Sequence, residues 1–314
     1  MIDDSGVSCA DIMAHFARQP GFLLARADQI ATALWGEGAA GETIAQAEML
    51  LLAAGMAGAA QVELAEAAGL DTSTTALVLA NLATRGWIDR KPDPHDRRRA
   101  RVALSAAGRA VVAGVGAAYA ELQAALIAPV APADRAGFRA ILHRIAANPL
   151  APAPLWRPSG GVPDAAPGFL CRRATQVFQA QLTAATPDRA LTSRQFSLLF
   201  ILTQRPDLSQ AGFARMFGLD PSTCSVILRS LARRGAVARQ PMAGDARAFV
   251  WRITPQGQAL FDTARPAVDR AARALLRGEP PEAVRGLTHA LATIIHALGH
   301  HLRYPGDYPV IPRT

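Results

Sequence analysis

Apolar positions along this chain fall into helical stripes separated by shorter, differently patterned segments. Over residues 106 to 127, Val111, Val115, Ala118, Leu122 and Leu126 recur every three or four positions, which lines one face of a helix. Residues 133 to 147 continue with Phe138, Ile141, Leu142 and Ile145. Later, Leu260, Ala264, Val268, Ala271 and Leu275 repeat the first stripe, and Val284, Leu287, Leu291, Ile294 and Leu298 form a last helix. Pro266 predicts a kink or a fresh start in the third of these, because proline lacks a donor and crowds the preceding turn. Stripes this long predict helices that pack domain against domain.

The shorter segments have another pattern. Leu64 and Ala68 make a brief apolar face that ends at Gly69, where a helix-terminating glycine would sit. Asp71 then suits an N-cap, with Thr72, Ser73 and Thr74 in the first turn of a second helix. Leu79 and Leu82 form its buried side, and Gly86 stops it. Helix, tight turn, helix is the pattern of a helix-turn-helix, whose second helix enters the DNA major groove; an ordinary pair of antiparallel helices reads the same. Past Gly86, Trp87-Ile88 and Val102-Ala103-Leu104 are strand-like and are joined by "DRKPDPHDRRRAR". A hairpin in that position is a wing, and its arginines suit phosphates or a narrow minor groove. A solvated charge run is the plainer reading of such a cluster.

The chain carries this arrangement twice. Residues 61 to 108 align without a gap on residues 210 to 257, an offset of 149, with 17 of 48 positions identical. The identities include Gly69/Gly218, Asp71/Asp220, Ser73/Ser222, Gly86/Gly235 and Gly108/Gly257. Upstream, "PGFLLARA" at 20 to 27 echoes "PGFLCRRA" at 167 to 174, at an offset of 147. Whole domains are therefore duplicated, each of about the usual domain length. The organisation expected is a first domain over 1–147, a proline-rich linker over 148–167, a second domain over 168–303 and an extended tail over 304–314.

Composition narrows the function classes. The formal charge is +8, carried almost wholly by arginine, since Lys91 is the single lysine. Arginine suits bidentate phosphate contacts, although a GC-rich genome yields the same bias. No apolar run approaches the ~20 residues that span a bilayer, so no membrane partner is expected. The opening "MIDDSGVSCADIM" has acids where a signal peptide needs positive charge. Three well-separated cysteines, Cys9, Cys171 and Cys224, fit a reducing cytoplasm rather than a disulfide framework. A Walker loop, a dinucleotide fingerprint, H-E-x-x-H, a nucleophile elbow and paired acids within one segment are all missing. No catalytic residue, no cofactor and no enzymatic activity are therefore expected.

The segment "GLDTSTTALVLANLATRGWIDRKPDPHDRRRARVALSAAG" resembles the MarR family of bacterial transcriptional regulators. The family pattern is a Leu-Asp-x-Ser-Thr start to the recognition helix, a Leu-x-x-x-Gly end and a wing with Asp-x-Arg-Asp-x-Arg. Here the wing reads Asp93-Pro94-His95-Asp96-Arg97-Arg98, with His95 in place of the first arginine, and the second copy keeps Asp245 and Arg247. The resemblance implies a mainly α fold with small β-hairpin wings: two winged helix-turn-helix domains joined by long pairing helices, an intramolecular pseudo-dimer. Its partner would be double-stranded DNA with a pseudo-palindromic operator. One chain would do the work of a family homodimer, with further dimerisation left open.

On that resemblance, Arg98 and Arg247 are wing-tip arginines oriented by Asp96 and Asp245, while Arg97, Arg99 and Arg101 are generic phosphate partners. Thr72, Ser73, Thr74 and Thr75, and Pro221, Ser222, Thr223 and Ser225, face the major groove, with Asn81 and Arg229 farther along. Family members often carry arginine where this chain has Leu77 and Val226. That keeps a second reading open, a sensing or protein-binding module of the same fold without specific DNA binding. The family also binds small aromatic or phenolic acids beside its long helices. Arg26 and Arg173, with Trp35, are the candidates for a small aromatic or anionic effector; ion pairs on the helix surface are the alternative for both arginines. Cys171 lies three residues past the place of the family's reactive cysteine, and buried small residues are expected at Cys171 and Cys224. His296 and His300 share a helix face, but without carboxylate or cysteine partners no metal site is assigned.

Overall fold

The computed structural model describes residues 9–36, 38–93, 100–186, 191–206, 208–242, 245–304 and 306. Helices dominate. In the first copy α1 (Cys9–Phe16), α2 (Pro20–Trp35), α3 (Ile44–Gly55), α4 (Gln61–Ala68) and α5 (Thr72–Thr84) precede a small sheet, and α6 (Ala106–Ile127) and α7 (Arg135–Ala146) follow it. The sheet has the order β1 (Ala59–Ala60), β3 (Ala100–Leu104), β2 (Ile88–Pro92), all antiparallel. The second copy repeats the plan. Helices α8 (Pro167–Ala185), α9 (Ser193–Gln204), α10 (Gln210–Phe217) and α11 (Pro221–Arg233) are followed by α12 (Pro255–Leu275) and α13 (Pro281–Leu298). Its sheet runs β4 (Leu208–Ser209), β6 (Asp245–Ile253), β5 (Val237–Met242). The two hairpins were legible in the sequence; the two-residue third strands were too short to be.

The repeated glycines have physical causes. Gly69 and Gly218 lie at φ +60° and +63°, a left-handed conformation that costs other residues ~1–2 kcal/mol. Gly108 and Gly257 lie in the first turn of α6 and α12, so close to the residue ahead of β2 or β5 that a Cβ would lie 1.9 Å from the Trp87 or Ala236 carbonyl oxygen. Pro266 sits inside α12, which continues through it. The sequence reading that no stretch is long enough for a membrane needs one correction. Helix α6 is long and apolar enough by length and composition. Its apolarity is spread over alanine, glycine and valine, interrupted by Arg109 and Glu121, so no unbroken run announces it. Val115, Tyr119, Leu122 and Leu126 on this helix are buried.

The chain forms two compact units, and their boundaries do not follow the repeat. One contains residues 1–26 with 175–314; the other contains 27–174. The opening residues of α2 thus belong to the unit of the second copy, and the opening residues of α8 to the unit of the first. In the unit of residues 1–26 and 175–314, Ile12, Met13 and Phe16 from α1 enter one core with Leu198, Leu202, Phe213, Phe217 and Phe261. Phe16 lies edge-on to Phe217 and Phe200 at centroid distances of 5.2 and 5.3 Å. In the other unit the proline-rich segment is not a free spacer. Trp156 is buried, donates Nε1–H to the Ala67 carbonyl at 3.0 Å, and packs 5.5 Å from Phe169.

Candidate nucleic-acid interface

Each recognition helix starts on an aspartate cap. Asp71 accepts from the Thr74 backbone N–H at 2.8 Å, from the Thr74 hydroxyl at 2.7 Å and from the Ser73 hydroxyl. Those bonds, with Ser73 first, hold its carboxyl well below the usual range. Asp220 accepts from the Ser222 hydroxyl and from the Ser222 N–H at 2.8 Å, and its pKa is lowered for the same reason. Pro221 occupies the first turn, where its missing donor costs nothing.

The helical period sorts the residues of these helices into two faces. Thr75, Val78, Leu79 and Leu82 are buried, as are their counterparts Cys224, Ile227, Leu228 and Leu231. Thr75 was expected to face the groove and does not: it is fully buried, and its hydroxyl donates to the Asp71 carbonyl at 2.9 Å. Its spacing of three, four and seven residues to Val78, Leu79 and Leu82 puts it on the inner face. The opposite face exposes Ser73, Leu77, Ala80, Asn81 and Thr84 in α5, and Ser222, Val226, Arg229 and Arg233 in α11. Thr72 and Pro221 are also exposed, while Thr74, Thr223 and Ser225 are half-buried.

The wings differ. Arg101 is tied to its own domain, with Nε 2.8 Å from Asp93 Oδ2 and an N–H donated to the Gly58 carbonyl at 3.0 Å, so it braces the hairpin at the end where β2 leads into the wing loop. Asp96, Arg97, Arg98 and Arg99 lie outside the described residues, as do the side chains of Asp245 and Arg247 on β6. Arg90 donates to Gln61 at 2.8 Å, whereas its counterpart Arg239 lies 3.7 Å above the Phe249 ring.

The three effector candidates are buried and hydrogen-bonded. Arg26 donates to the carbonyls of Gly218 at 3.1 Å and Tyr304 at 3.0 Å. Arg173 donates to the carbonyls of Gly69 at 3.4 Å and Pro154 at 2.5 Å. Burial, and then the Arg172 charge, lower the Arg173 pKa to about 10, which leaves it charged near neutrality. Each arginine therefore grips the glycine at the turn of a helix-turn-helix. Trp35 donates Nε1–H to the Glu42 carbonyl at 2.8 Å.

Sequence reasoning missed a buried polar node in the unit of residues 27–174. Tyr119 donates to Glu48 at 3.1 Å, and Arg172 reaches the other Glu48 oxygen at 2.9 Å. Burial, then the Glu48 charge, raise the Tyr119 pKa. One acid inside "AEMLLLAAG" was the available signal, since a buried carboxylate requires a partner. The matching positions in the second copy are Ser197, Val268 and Ala25, which cannot rebuild the node.

A helix-turn-helix with a capped recognition helix and a following β-hairpin, present twice, defines a winged-helix protein of the DNA-binding regulator class. The chain belongs to the MarR family, whose model matches residues 43–100 and 191–249. It is 36% identical over 124 residues to the HTH-type transcriptional repressor Rv2887 of Mycobacterium tuberculosis, covering 39% of this chain and 89% of that one. It is 32% identical over 120 residues to the homoprotocatechuate degradative operon repressor of Escherichia coli, covering 37% and 80%. Among solved structures it is similar to CouR from Rhodococcus jostii RHA1 bound to p-coumaroyl-CoA, with 29% identity, 40% and 90% coverage and a TM-score of 0.36. The match to BpsR of Bordetella bronchiseptica has 26% identity, 40% and 89% coverage and a TM-score of 0.37.

Proposed function

We propose that this chain is a transcriptional repressor that presents two recognition helices to a pseudo-palindromic operator from one polypeptide. The observation that carries the reading is the pair of capped helices α5 and α11, each with an exposed polar start and a hairpin behind it. The protein acts in the cytoplasm, on DNA, without catalysis. The two half-sites are read unequally. Residues 61–108 hold seven positive and six negative charges, whereas residues 210–257 hold seven and two. The first copy therefore relies on its wing, and the second on Arg229, Arg233, Arg234 and the general field.

Repression is released by a small aromatic or anionic molecule; one relative is named as the repressor of the operon that degrades homoprotocatechuate, an aromatic acid. An anion reaching Arg26 or Arg173 competes with the Gly218 or Gly69 carbonyl, which links its entry to the turn ahead of the recognition helix.

The test is selection of bound sequences from random duplex DNA at near-physiological salt. Enrichment of paired half-sites is expected. Without enrichment the second reading takes over, a sensing module of the same fold; the exposed apolar Leu77 and Val226 in the middle of both recognition helices favour it. On the selected operator, Arg98→Ala and Arg247→Ala should each cost about 1–3 kcal/mol of binding. Arg97→Ala should reduce the slope of affinity against salt by up to about one unit. Parent-like binding by both Arg98→Ala and Arg247→Ala would mean that the hairpins do not touch DNA.

A further inference from the structure

Leu77 and Val226 also admit a sharper interpretation. Of the eight large apolar side chains exposed among the described residues, these two alone coincide under the 149-residue offset of the repeat. They are 63% and 57% exposed, at the midpoint of the outward faces of α5 and α11. Their neighbours on those faces are polar or small: Ser73, Ala80, Asn81 and Thr84 around Leu77, and Ser222, Arg229 and Arg233 around Val226. A single branched aliphatic within such a face is far smaller than the patch of a few hundred Å² that marks a protein-docking surface. The arginines beside Val226 suit a polyanion. The major groove presents one apolar group to an entering helix, the 5-methyl of a pyrimidine, carried by thymine in ordinary DNA.

We propose that Leu77 and Val226 each pack on the 5-methyl group of a thymine, one in each half of the operator, and so specify an A·T pair at that position. The inference rests on the DNA-binding function proposed above. It assigns specificity to the two positions that otherwise count against base reading, by replacing hydrogen bonding with burial of a methyl group.

The experiment uses the full chain and the operator selected above, with each thymine replaced singly by deoxyuridine, which deletes only the methyl. In each half-site one such replacement should weaken binding about three- to tenfold, the scale for burying one methyl group. Leu77→Ala should abolish that sensitivity in one half-site and leave it in the other; Val226→Ala should do the reverse. Leu77→Val should keep it. Both side chains are exposed, so the alanine variants should melt like the parent. At the same position, 5-methylcytosine should bind better than cytosine, which separates the methyl from the rest of the base pair. The inference is overturned if the operator is bound yet no deoxyuridine weakens it, or if the sensitivity survives in both alanine variants. Failure to select any operator removes the DNA-binding function itself.

Discussion

At the scale of single residues, the two described thiols show what burial does to reactivity. Cys171 and Cys224 are both fully buried. Burial, with the Asp28 charge second, pushes the Cys171 thiol far above its ordinary range, and burial pushes Cys224 up to about 12. The thiolate is the reactive form and is scarce in both at pH 8. Neither should be alkylated in the native chain at that pH, and both should react after denaturation; peptide mapping by mass spectrometry reads the difference. Gly218 tests the turn. An added Cβ would lie 2.2 Å from Arg26 Nη2 and 2.5 Å from the Tyr304 oxygen, at a positive φ. Gly218→Ala should therefore destabilise its unit by about 1–2 kcal/mol or more in urea denaturation, whereas Gly286→Ala, with nothing near it, should not.

At the scale of elements, the recognition helices were legible because their determinants are local. An aspartate cap, a left-handed glycine and a stripe with a period of 3.6 residues need no distant partner to be recognised. Thr75 lies close to the helix start yet faces inward, because that same period places it with Val78, Leu79 and Leu82. The node joining α3, α6 and α8 depends on side chains 71 and 124 residues apart in sequence, so only folding brings them together. Arg172→Ala would leave the Glu48 carboxylate buried without its cation, and should cost about 3 kcal/mol or more in chemical denaturation. The double variant Glu48→Leu, Arg172→Met should cost less than Arg172→Ala alone, because no charge is then stranded. The second copy has small or apolar residues at all three positions, so changes there should lack this coupling.

At the scale of the whole molecule, duplication puts into one chain the two winged units for which a single-copy relative would need two chains. Light scattering in dilute solution should give the mass of one chain, 33.1 kDa. A tight dimer mass would mean that the helical stripes pair between chains. Adding the selected operator should leave one protein chain per duplex if both half-sites are held by one polypeptide.

The sequence by itself determined the twofold repeat, the helix-turn-helix segments, the hairpins behind them and the positions where only glycine fits. Each of these is written in short-range pattern: a cap, a turn conformation, a period of two or of 3.6. The tertiary structure alone decided where the opening segments reside. An alignment of repeats records that residues 20–27 and 167–174 are equivalent, but not which helix-turn-helix each will join. Burial decided it: Ile12, Met13 and Phe16 enter a core built from the second copy, while Phe169 and Trp156 pack in the unit of the first. Arg26 and Arg173 follow the same exchange, because a buried guanidinium must find acceptors, and the glycine carbonyls at the two turns supply them.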